Sequence, residues 1–321
     1  MPNVYNTRIG SPQLNSLQLP TQTLDGIIQE ATQGSIVLQH ARKIRMAAGV
    51  AKQSVLASLP DAYWVQKDNE SATIPGEAGM KQTTNASWTD TSITAEEMAV
   101  IVPIPDVVQQ DANFNITNEV VPLVGEAFAK VLDLAAIFGV NKPSSWPDAI
   151  VTGATNATNT VTEGTGADIG VDVAELCKKI AQEGYAVNGF VSSPGFGWEL
   201  TGLRDDNGQP IYQSLREGAP GGILYGFPLN EARNGAWDPT VAKLLAIDWS
   251  KFVVGIRQDV SYRVFTEGVI TDDDGKVIYN LMQQDSKAIR FTFRVGFQCM
   301  QPAVHHLQAD HYYPAGIIVP A

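Results

Sequence analysis

Residues 60–105 hold two apolar strand patterns that flank a polar run. The first pattern is Ala62–Val65 and the second is Ser87–Ile104, and the run between them, Gln66–Asn85, is rich in Thr, Ser, Gly and charged residues. Two strands around a polar tip predict a long hairpin. An isolated two-stranded ribbon is only marginally stable in water. The pattern therefore predicts either a surface loop or an arm that lies on another subunit.

The segment from Asn118 to Phe138 carries the strongest helix pattern of the chain. Its apolar residues recur every three or four positions, which places them on one face of a helix. Gly139 is a good stop, and Pro143 and Pro147 prevent continuation. Pro122 must lie in the first turn or bend the helix. At 1.5 Å per residue the helix would be ~30 Å long, which is the width of a small domain.

The remaining segments alternate short strands with turns, without repeated strand–helix units. Residues 24–55 have a helical pattern interrupted by glycines, residues 152–170 predict a loop, and Asp172 with Glu175 resembles a capping box at the start of a helix. A hairpin turn is predicted at Asp273–Gly275. This order favours the α+β class over a doubly wound parallel sheet. The predicted strands are Phe190–Val191, Leu244–Ile247, Phe252–Ile256, Val260–Phe265, Val277–Leu281 and Ile289–Phe297.

The chain is acidic overall, but its charge is unevenly distributed. The net charge is −12 over 321 residues. Residues 1–60 contain two acidic and five basic side chains, a local charge of +3, so the other residues carry −15. An acidic surface is repelled by phosphate, which argues against sequence-specific binding of DNA or RNA. The basic segment predicts contact either with nucleic acid or with the acidic body of a neighbouring copy.

The composition and the motifs predict a globular protein without an active site. Hydrophobic residues make up 44% of the chain and charged residues 17%, values that exclude a disordered chain. No signal peptide and no membrane-spanning apolar run is present, so we expect the protein to be made and to mature in solution. Cys177 and Cys299 are predicted to be buried thiols, one in a helix and one in a strand.

No catalytic, cofactor-binding or metal-binding residue is predicted. Nucleophile-elbow, phosphate-loop, dinucleotide-binding and zinc-protease motifs are all absent from the sequence. His305, His306 and His311 have metal-ligand side chains, but adjacent histidines on a strand point to opposite faces. A polar tail that packs against a neighbour is the preferred interpretation of this cluster.

Six stretches follow one another in an informative order. They are Leu59–Val65, Ser87–Asp111, Asp133–Gly139, Ser193–Gly208, Leu224–Leu229 and Asp285–Ala303. In this order they resemble the major capsid proteins of tailed bacteriophages, whose fold is shared with encapsulin compartments. The resemblance covers about residues 24–304.

The resemblance implies five parts. Residues 1–58 would form an N-terminal arm and helix, and residues 59–97 an extended hairpin loop. Residues 98–145 and 255–300 would form a peripheral domain around a long spine helix. Residues 146–254 would form an axial domain, and residues 301–321 a C-terminal extension.

The resemblance also implies a function and a set of partners. The chain would be the major head protein of a tailed phage, assembling through hexamers and pentamers into an icosahedral shell in the host cytoplasm. The shell would hold double-stranded DNA by confinement, with no membrane involved. A separate scaffolding protein, a portal and a decoration protein are the implied partners.

Seven residues are the predicted assembly contacts, four in the hairpin and three in the arm. Where some relatives form a Lys–Asn crosslink assisted by Glu, this chain has Gln283 and Arg290, so no crosslink is expected. An encapsulin-type shell is the alternative within the fold. A soluble enzyme with an unrecognised site at residues 190–260 and a surface binding module are alternatives of other classes. The predicted contacts are Trp64, Lys67, Lys81, Trp88, Arg42, Lys43 and Arg45.

Overall fold

The structure is a computed structural model that describes residues 34–62, 83–110, 116–166, 168–202, 222–302 and 312–321. It combines helices with sheets in no regular alternation, and the α+β prediction is confirmed. The helices are α1 (Ile36–His40), α2 (Asp106–Gln110), α3 (Ile116–Asp133), α4 (Ile150–Asn156), α5 (Ile169–Gln182) and α6 (Phe196–Gly202). The first strands are β1 (Arg42–Arg45), β2 (Val50–Ser58), β3 (Ser87–Thr94), β4 (Glu96–Pro105), β5 (Thr160–Thr162), β6 (Gly189–Ser192) and β7 (Ile223–Leu224). The later strands are β8 (Phe227–Glu231), β9 (Leu244–Ile247), β10 (Phe252–Phe265), β11 (Val269–Thr271), β12 (Val277–Asn280), β13 (Ser286–Cys299) and β14 (Ala315–Val319).

The predicted long helix is confirmed as α3 followed by one π-helical turn, Leu134–Phe138. Val124, Phe128 and Leu132 recur at four-residue spacing and are buried in the main core. Pro122 lies inside the helix rather than at its start. The turn ends at Gly139, whose positive φ of 75° favours glycine because a side chain would be strained there.

The longest strands build one sheet, called here the long sheet. Within the described residues its order is β1-β10-β13-β4, with β1 parallel to β10 and the other pairs antiparallel. The strands predicted at Phe252–Ile256 and Val260–Phe265 are one strand, β10, with register shifts between Ile256 and Ser261. At its far end, the predicted turn at Asp273–Gly275 is confirmed as the connection of the β11–β12 hairpin.

The second large sheet, called the mixed sheet, has the order β5-β14-β9-β6-β8-β7 within the described residues. One face joins the main core shared with α3 and the long sheet, through side chains such as Leu245 and Ile317. The other face packs against Val173, Leu176 and Ile180 of α5. Strands β6 and β9 are therefore buried along their whole length.

Three local predictions are wrong. The helical pattern of residues 24–55 does not continue as a helix past His40, because Val50–Ser58 pairs with β3 as a strand. The hairpin's first described strand is β2, and the strand predicted at Ala62–Val65 falls on residues of which only Ala62 is described. Within the predicted loop at 152–170, the structure has the end of α4 and strand β5, the latter held by pairing with β14. At α5 the N-cap is Asp168 rather than Asp172.

The C-terminal segment is integrated into the mixed sheet. Strand β14 lies between β5 and β9 and is almost entirely buried. Asn159 and Glu183 fix the approach to this strand: the Asn159 amide and the Tyr313 backbone N–H donate to Glu183 Oε2, at 2.7 and 2.9 Å. Burial of Glu183 raises its pKa. Residues 315–319 of the expected extension are thus core residues.

Candidate assembly surfaces

Strands β2 and β3 form a two-stranded ribbon that is paired within itself. Its register runs from Val50 opposite Thr94 to Ser58 opposite Ser87. At the far end the hydroxyls of Ser58 and Ser87 are 2.7 Å apart and share a hydrogen bond. Residues 63–82, which connect the two strands, lie outside the described residues. The ribbon is thus the base of the predicted hairpin.

The ribbon packs on the body at its root, and its outer part borders an open pocket of about 660 Å³ whose other wall belongs to the body. Its root places Ile93, fully buried, in a small apolar cluster with Met46, Val253 and Met300. Towards the far end, Trp88 is 66% exposed. Because burying a large aromatic ring is strongly favourable, an exposed tryptophan on a protruding ribbon is typical of an interaction surface.

Two opposed glycines make room for the ribbon's root. Gly255 on β10 and Gly296 on β13 lie directly opposite each other in the long sheet. A Cβ atom on Gly296 would come within 2.6 Å of the Thr94 carbonyl oxygen and 2.9 Å of Ile93 Cγ2. Side chains at these positions would push the ribbon away from the body.

Strand β1 places three basic side chains at the edge of the long sheet. Arg42, Lys43 and Arg45 are all exposed. Arg45 Nη1 lies 3.1 Å from Asp259 Oδ2, yet its side chain stays 84% exposed. An exposed pair of this kind contributes less than ~1 kcal/mol to stability. These charges remain available for contact with another molecule.

A buried carboxylate fastens α1 to the spine. Asp133, the last residue of α3, accepts hydrogen bonds from Ser35 Oγ at 2.6 Å, from the Ile36 N–H at 2.9 Å and from the Val37 N–H at 3.2 Å. Asn234 Nδ2 donates a fourth, at 2.6 Å. Burial raises the pKa of Asp133 to about 6, and the four hydrogen bonds oppose that rise. This carboxylate joins α1, the spine helix and the loop before β9.

The predicted contact residues divide into two groups. Trp88 lies on the exposed part of the ribbon, and the three basic residues lie together on β1. Trp64, Lys67 and Lys81 lie outside the described residues, as do His305, His306 and His311. The sequence analysis missed Trp198, which is 78% exposed on α6. The sequence pattern could have indicated this exposure, because Trp198 is two residues from both Phe196 and Leu200 and therefore points away from their apolar side of the helix.

The described ranges bear on two other kinds of site, a metal centre and a membrane-spanning helix. No cluster of three or more His, Cys, Asp or Glu able to hold a metal was found among those residues. None of the helices in the same ranges is long and apolar enough to cross a membrane.

Comparison with known proteins decides the identity of the fold. The model of the phage capsid family matches residues 16–304. The chain belongs to the phage capsid family. Among curated proteins, the major capsid protein of Staphylococcus phage 80alpha is 24% identical over 274 residues, which is 84% of this chain and 78% of that protein.

Solved structures extend the similarity of this capsid protein to nearly its full length. A structure from Microbacterium phage Oxtober96 is 36% identical, with a TM-score of 0.77 over 98% of this chain and 96% of that one. A structure from Mycobacterium phage Bobi is 32% identical, with a TM-score of 0.76 and the same coverage. The resemblance found in the sequence is confirmed, and so is the phage major-capsid fold.

Membership of the family settles the class of function. The protein is a structural subunit of a phage shell and a component of the virion. The enzyme alternative is excluded by the family and by the curated relative, which are structural capsid proteins. The family match ends at residue 304, so strand β14 lies beyond it.

Proposed function

We propose that the protein assembles through hexamers and pentamers into an icosahedral phage head that encloses double-stranded DNA. The observation that carries this proposal is the ribbon, which is packed at its root and exposed at Trp88. A protruding ribbon with an apolar ring buries that ring only against another molecule. In a shell, the molecule within reach is a second copy of the chain.

The two large sheets correspond to the two domains that the family resemblance implies. We infer that the long sheet and the spine helix form the peripheral domain, with residues 98–145 and 255–300. The mixed sheet and the helices on it would form the axial domain, residues 146–254, together with strand β14. Residues 1–58 would form the N-terminal arm, with α1 and β1 anchored in this body and β2 paired with the hairpin loop, residues 59–97.

The basic strand would contact a neighbouring subunit rather than the genome. Arg42, Lys43 and Arg45 are exposed, while the rest of the chain carries a large excess of acidic groups. Opposite charges on two copies attract and orient them before contact. Such contacts weaken as salt screens the charges. The DNA would be retained by confinement within the shell, without sequence-specific binding.

Other proteins would complete the particle. We infer that a separate scaffolding protein guides assembly in the host cytoplasm, that a portal occupies one vertex, and that a decoration protein is a further candidate partner. These partners rest on the family resemblance. An encapsulin-type compartment would instead enclose a cargo enzyme, and the phage relatives favour a head.

Deletion of residues 66–85 tests the proposal. The deletion leaves the ribbon strands and shortens only the connection between them, so we expect a folded subunit that forms no closed shells. Thermal unfolding of the free subunit should match the wild type, while sedimentation and negative-stain images should show no shells.

A length-matched control separates reach from chemistry. Replacement of residues 66–85 by a Gly/Ser sequence of equal length keeps the reach of the hairpin and removes its side chains. If the deletion variant formed normal shells, residues 66–85 would have no role in assembly and the hairpin assignment would be wrong. Wild-type chains that formed no capsomers or shells, even with a scaffold present, would contradict the proposal itself. Shells from the Gly/Ser variant but not from the deletion variant would show that assembly needs the length of the hairpin and not its side chains.

A further inference from the structure

An apolar groove of about 520 Å³ opens on the mixed-sheet lobe, between α5 and the β7–β8 hairpin. Helix α5 has two apolar sides, one that packs on the sheet and one that faces this groove. The volume lies within the range of about 300–1,000 Å³ in which proteins bind small organic groups. The principal lining residues are Ala174, Cys177, Ala181, Phe190, Tyr225 and Phe227.

The walls of the groove are fixed in the subunit. Tyr225 and Gly226 have φ angles of 50° and 85°, the left-handed conformation of a tight hairpin turn. The hydroxyl of Tyr225 donates a hydrogen bond of 3.1 Å to the carbonyl of Gly170 at the start of α5. The rings of Phe190 and Phe227 lie edge to face, 6.4 Å apart. The groove is therefore preformed, which lowers the entropic cost of binding.

Trp198 provides a matching projection on the same lobe. Phe196 and Leu200 of α6 are buried against the mixed sheet, so Trp198 between them faces outward with 78% of its surface exposed. Tryptophan is enriched among the residues that dominate binding energies at interfaces.

Trp198 and the groove lie at opposite ends of the same strands. Strands β6 and β8 run parallel, with Phe190 opposite Leu229. The groove adjoins the first residues of both strands. Helix α6 follows the last residues of β6 and contacts the end of β8, where the Gly197 N–H donates to Glu231 Oε1 at 3.3 Å. The exposure of Trp198 shows that the indole does not occupy its own subunit's groove.

We propose that Trp198 of one copy inserts into the groove of the next copy around a capsomer. Because projection and groove are different surfaces, each copy uses both, and repetition of such a head-to-tail contact closes into a ring. This inference rests on the proposed function, since it supplies one contact that would hold hexamers and pentamers together. Insertion would bury roughly 150–250 Å² of the tryptophan.

Two variants test the contact because each removes one half of it. Trp198→Ala lacks the projection, and Ala181→Phe fills the groove from an exposed helix position. We expect each variant alone to need at least ~30-fold more protein than the wild type to form capsomers, the loss expected for a dominant interface tryptophan. A 1:1 mixture retains one intact contact per pair, so it should form heterodimers that do not close into rings.

Cys177 reports directly on the groove. In a Cys299→Ala background, maleimide modification of Cys177 should be at least ~10-fold slower in assembled wild-type shells than in free subunits, because a desolvated contact excludes reagent. Val241→Ala, at an exposed apolar position of the same lobe, is the matched control and should assemble as the wild type does.

Three outcomes would overturn the inference. Capsomers of Trp198→Ala at wild-type concentration would show that the indole is not needed, and equal Cys177 reactivity in shells and free subunits would show an open groove. Protection of Cys177 in shells built from Trp198→Ala would assign the groove to another segment or partner. If wild-type chains formed shells and one of these three results was also found, only the contact between Trp198 and the groove would be disproved. If wild-type chains gave no capsomers, the proposed function would fail with it.

Discussion

The mixed-sheet lobe and the ribbon are both built of paired strands, yet they differ in what covers them. In the lobe, β6 and β9 are buried on both faces by the main core and by α5. In the ribbon, the root is covered by a small cluster around Ile93, the outer part borders an open pocket, and Trp88 projects into solvent. The lobe obtains its stability within one subunit. In the free subunit, the indole ring of Trp88 on the ribbon remains exposed.

This difference separates the stability of the folded subunit from the association of subunits, two properties that a single melting curve of assembled shells does not distinguish. A change in the lobe should act on the folding of the subunit, while a change at the end of the ribbon should act on the association of subunits. Measurements on free subunits and on shells, made side by side, can therefore distinguish the two regions.

The largest expected effect is on folding. Leu176 is fully buried between α5 and the mixed sheet, so Leu176→Ala should lower the free energy of unfolding by about 2–5 kcal/mol through lost burial and a cavity. The matched change in the ribbon, Leu56→Ala, removes a half-buried side chain and should cost less than about 1 kcal/mol. Chemical denaturation of free subunits measures both. Equal losses at the two positions would remove the contrast between the regions.

A second effect is the pH dependence of the fastening at Asp133. Its pKa rises from 3.8 to about 6 on folding, so the folded state holds the proton more tightly and stability falls as pH increases between these values. The difference between the two pKa values corresponds to about 3 kcal/mol in the free energy of unfolding. The stability advantage of the wild type over Asp133→Asn should therefore shrink by about that amount between pH 3 and pH 7.

The comparison with a surface carboxylate completes this experiment. Asp259→Asn removes a partly exposed group that pairs with Arg45, so it serves as the surface control measured beside Asp133→Asn. Denaturant titrations at several pH values give each difference. A constant advantage of the wild type over Asp133→Asn would mean that Asp133 titrates as an ordinary carboxylate.

The smallest expected effect on folding is at the end of the ribbon. Trp88→Ala should change the free energy of unfolding of the free subunit by no more than about 0.5 kcal/mol, because the ring is largely exposed. The same variant should need at least ~10-fold more protein to form shells if the ring is buried between subunits. Trp88→Phe, which keeps an aromatic ring, should recover much of the loss. Normal assembly of Trp88→Ala would contradict the role given to the ribbon.

Local patterns predicted the parts of the fold whose partners are near in sequence or whose periodicity is long. The spine helix was predicted from its four-residue repeat and from Gly139, because an amphipathic face of that length has few other solutions. The β11–β12 hairpin was predicted from its Asp-Asp-Gly turn for a similar reason. In both cases the decisive residues are neighbours along the chain.

The errors occurred where distant pairing decides the structure. Val50–Ser58 is a strand because β3 pairs with it. The glycines that precede this segment interrupt its helical pattern, so the local sequence alone did not distinguish a helix from a strand. Trp88 and the basic residues of β1 were predicted as assembly contacts from composition and resemblance, and that role stays a prediction. The groove that faces Cys177 could not be predicted, because α5 and the β7–β8 hairpin come together only in the folded lobe.

The position of β14 has a consequence for how the protein is made. Strand β14 lies between β5 and β9, so β5 is not joined to the rest of the mixed sheet until residue 319 has been synthesised. A nascent chain that has completed β13 contains the residues of its spine helix and ribbon, but its mixed sheet still lacks the strand that joins β5 to β9. We therefore expect a subunit to become competent to join a shell only after its synthesis has passed Val319.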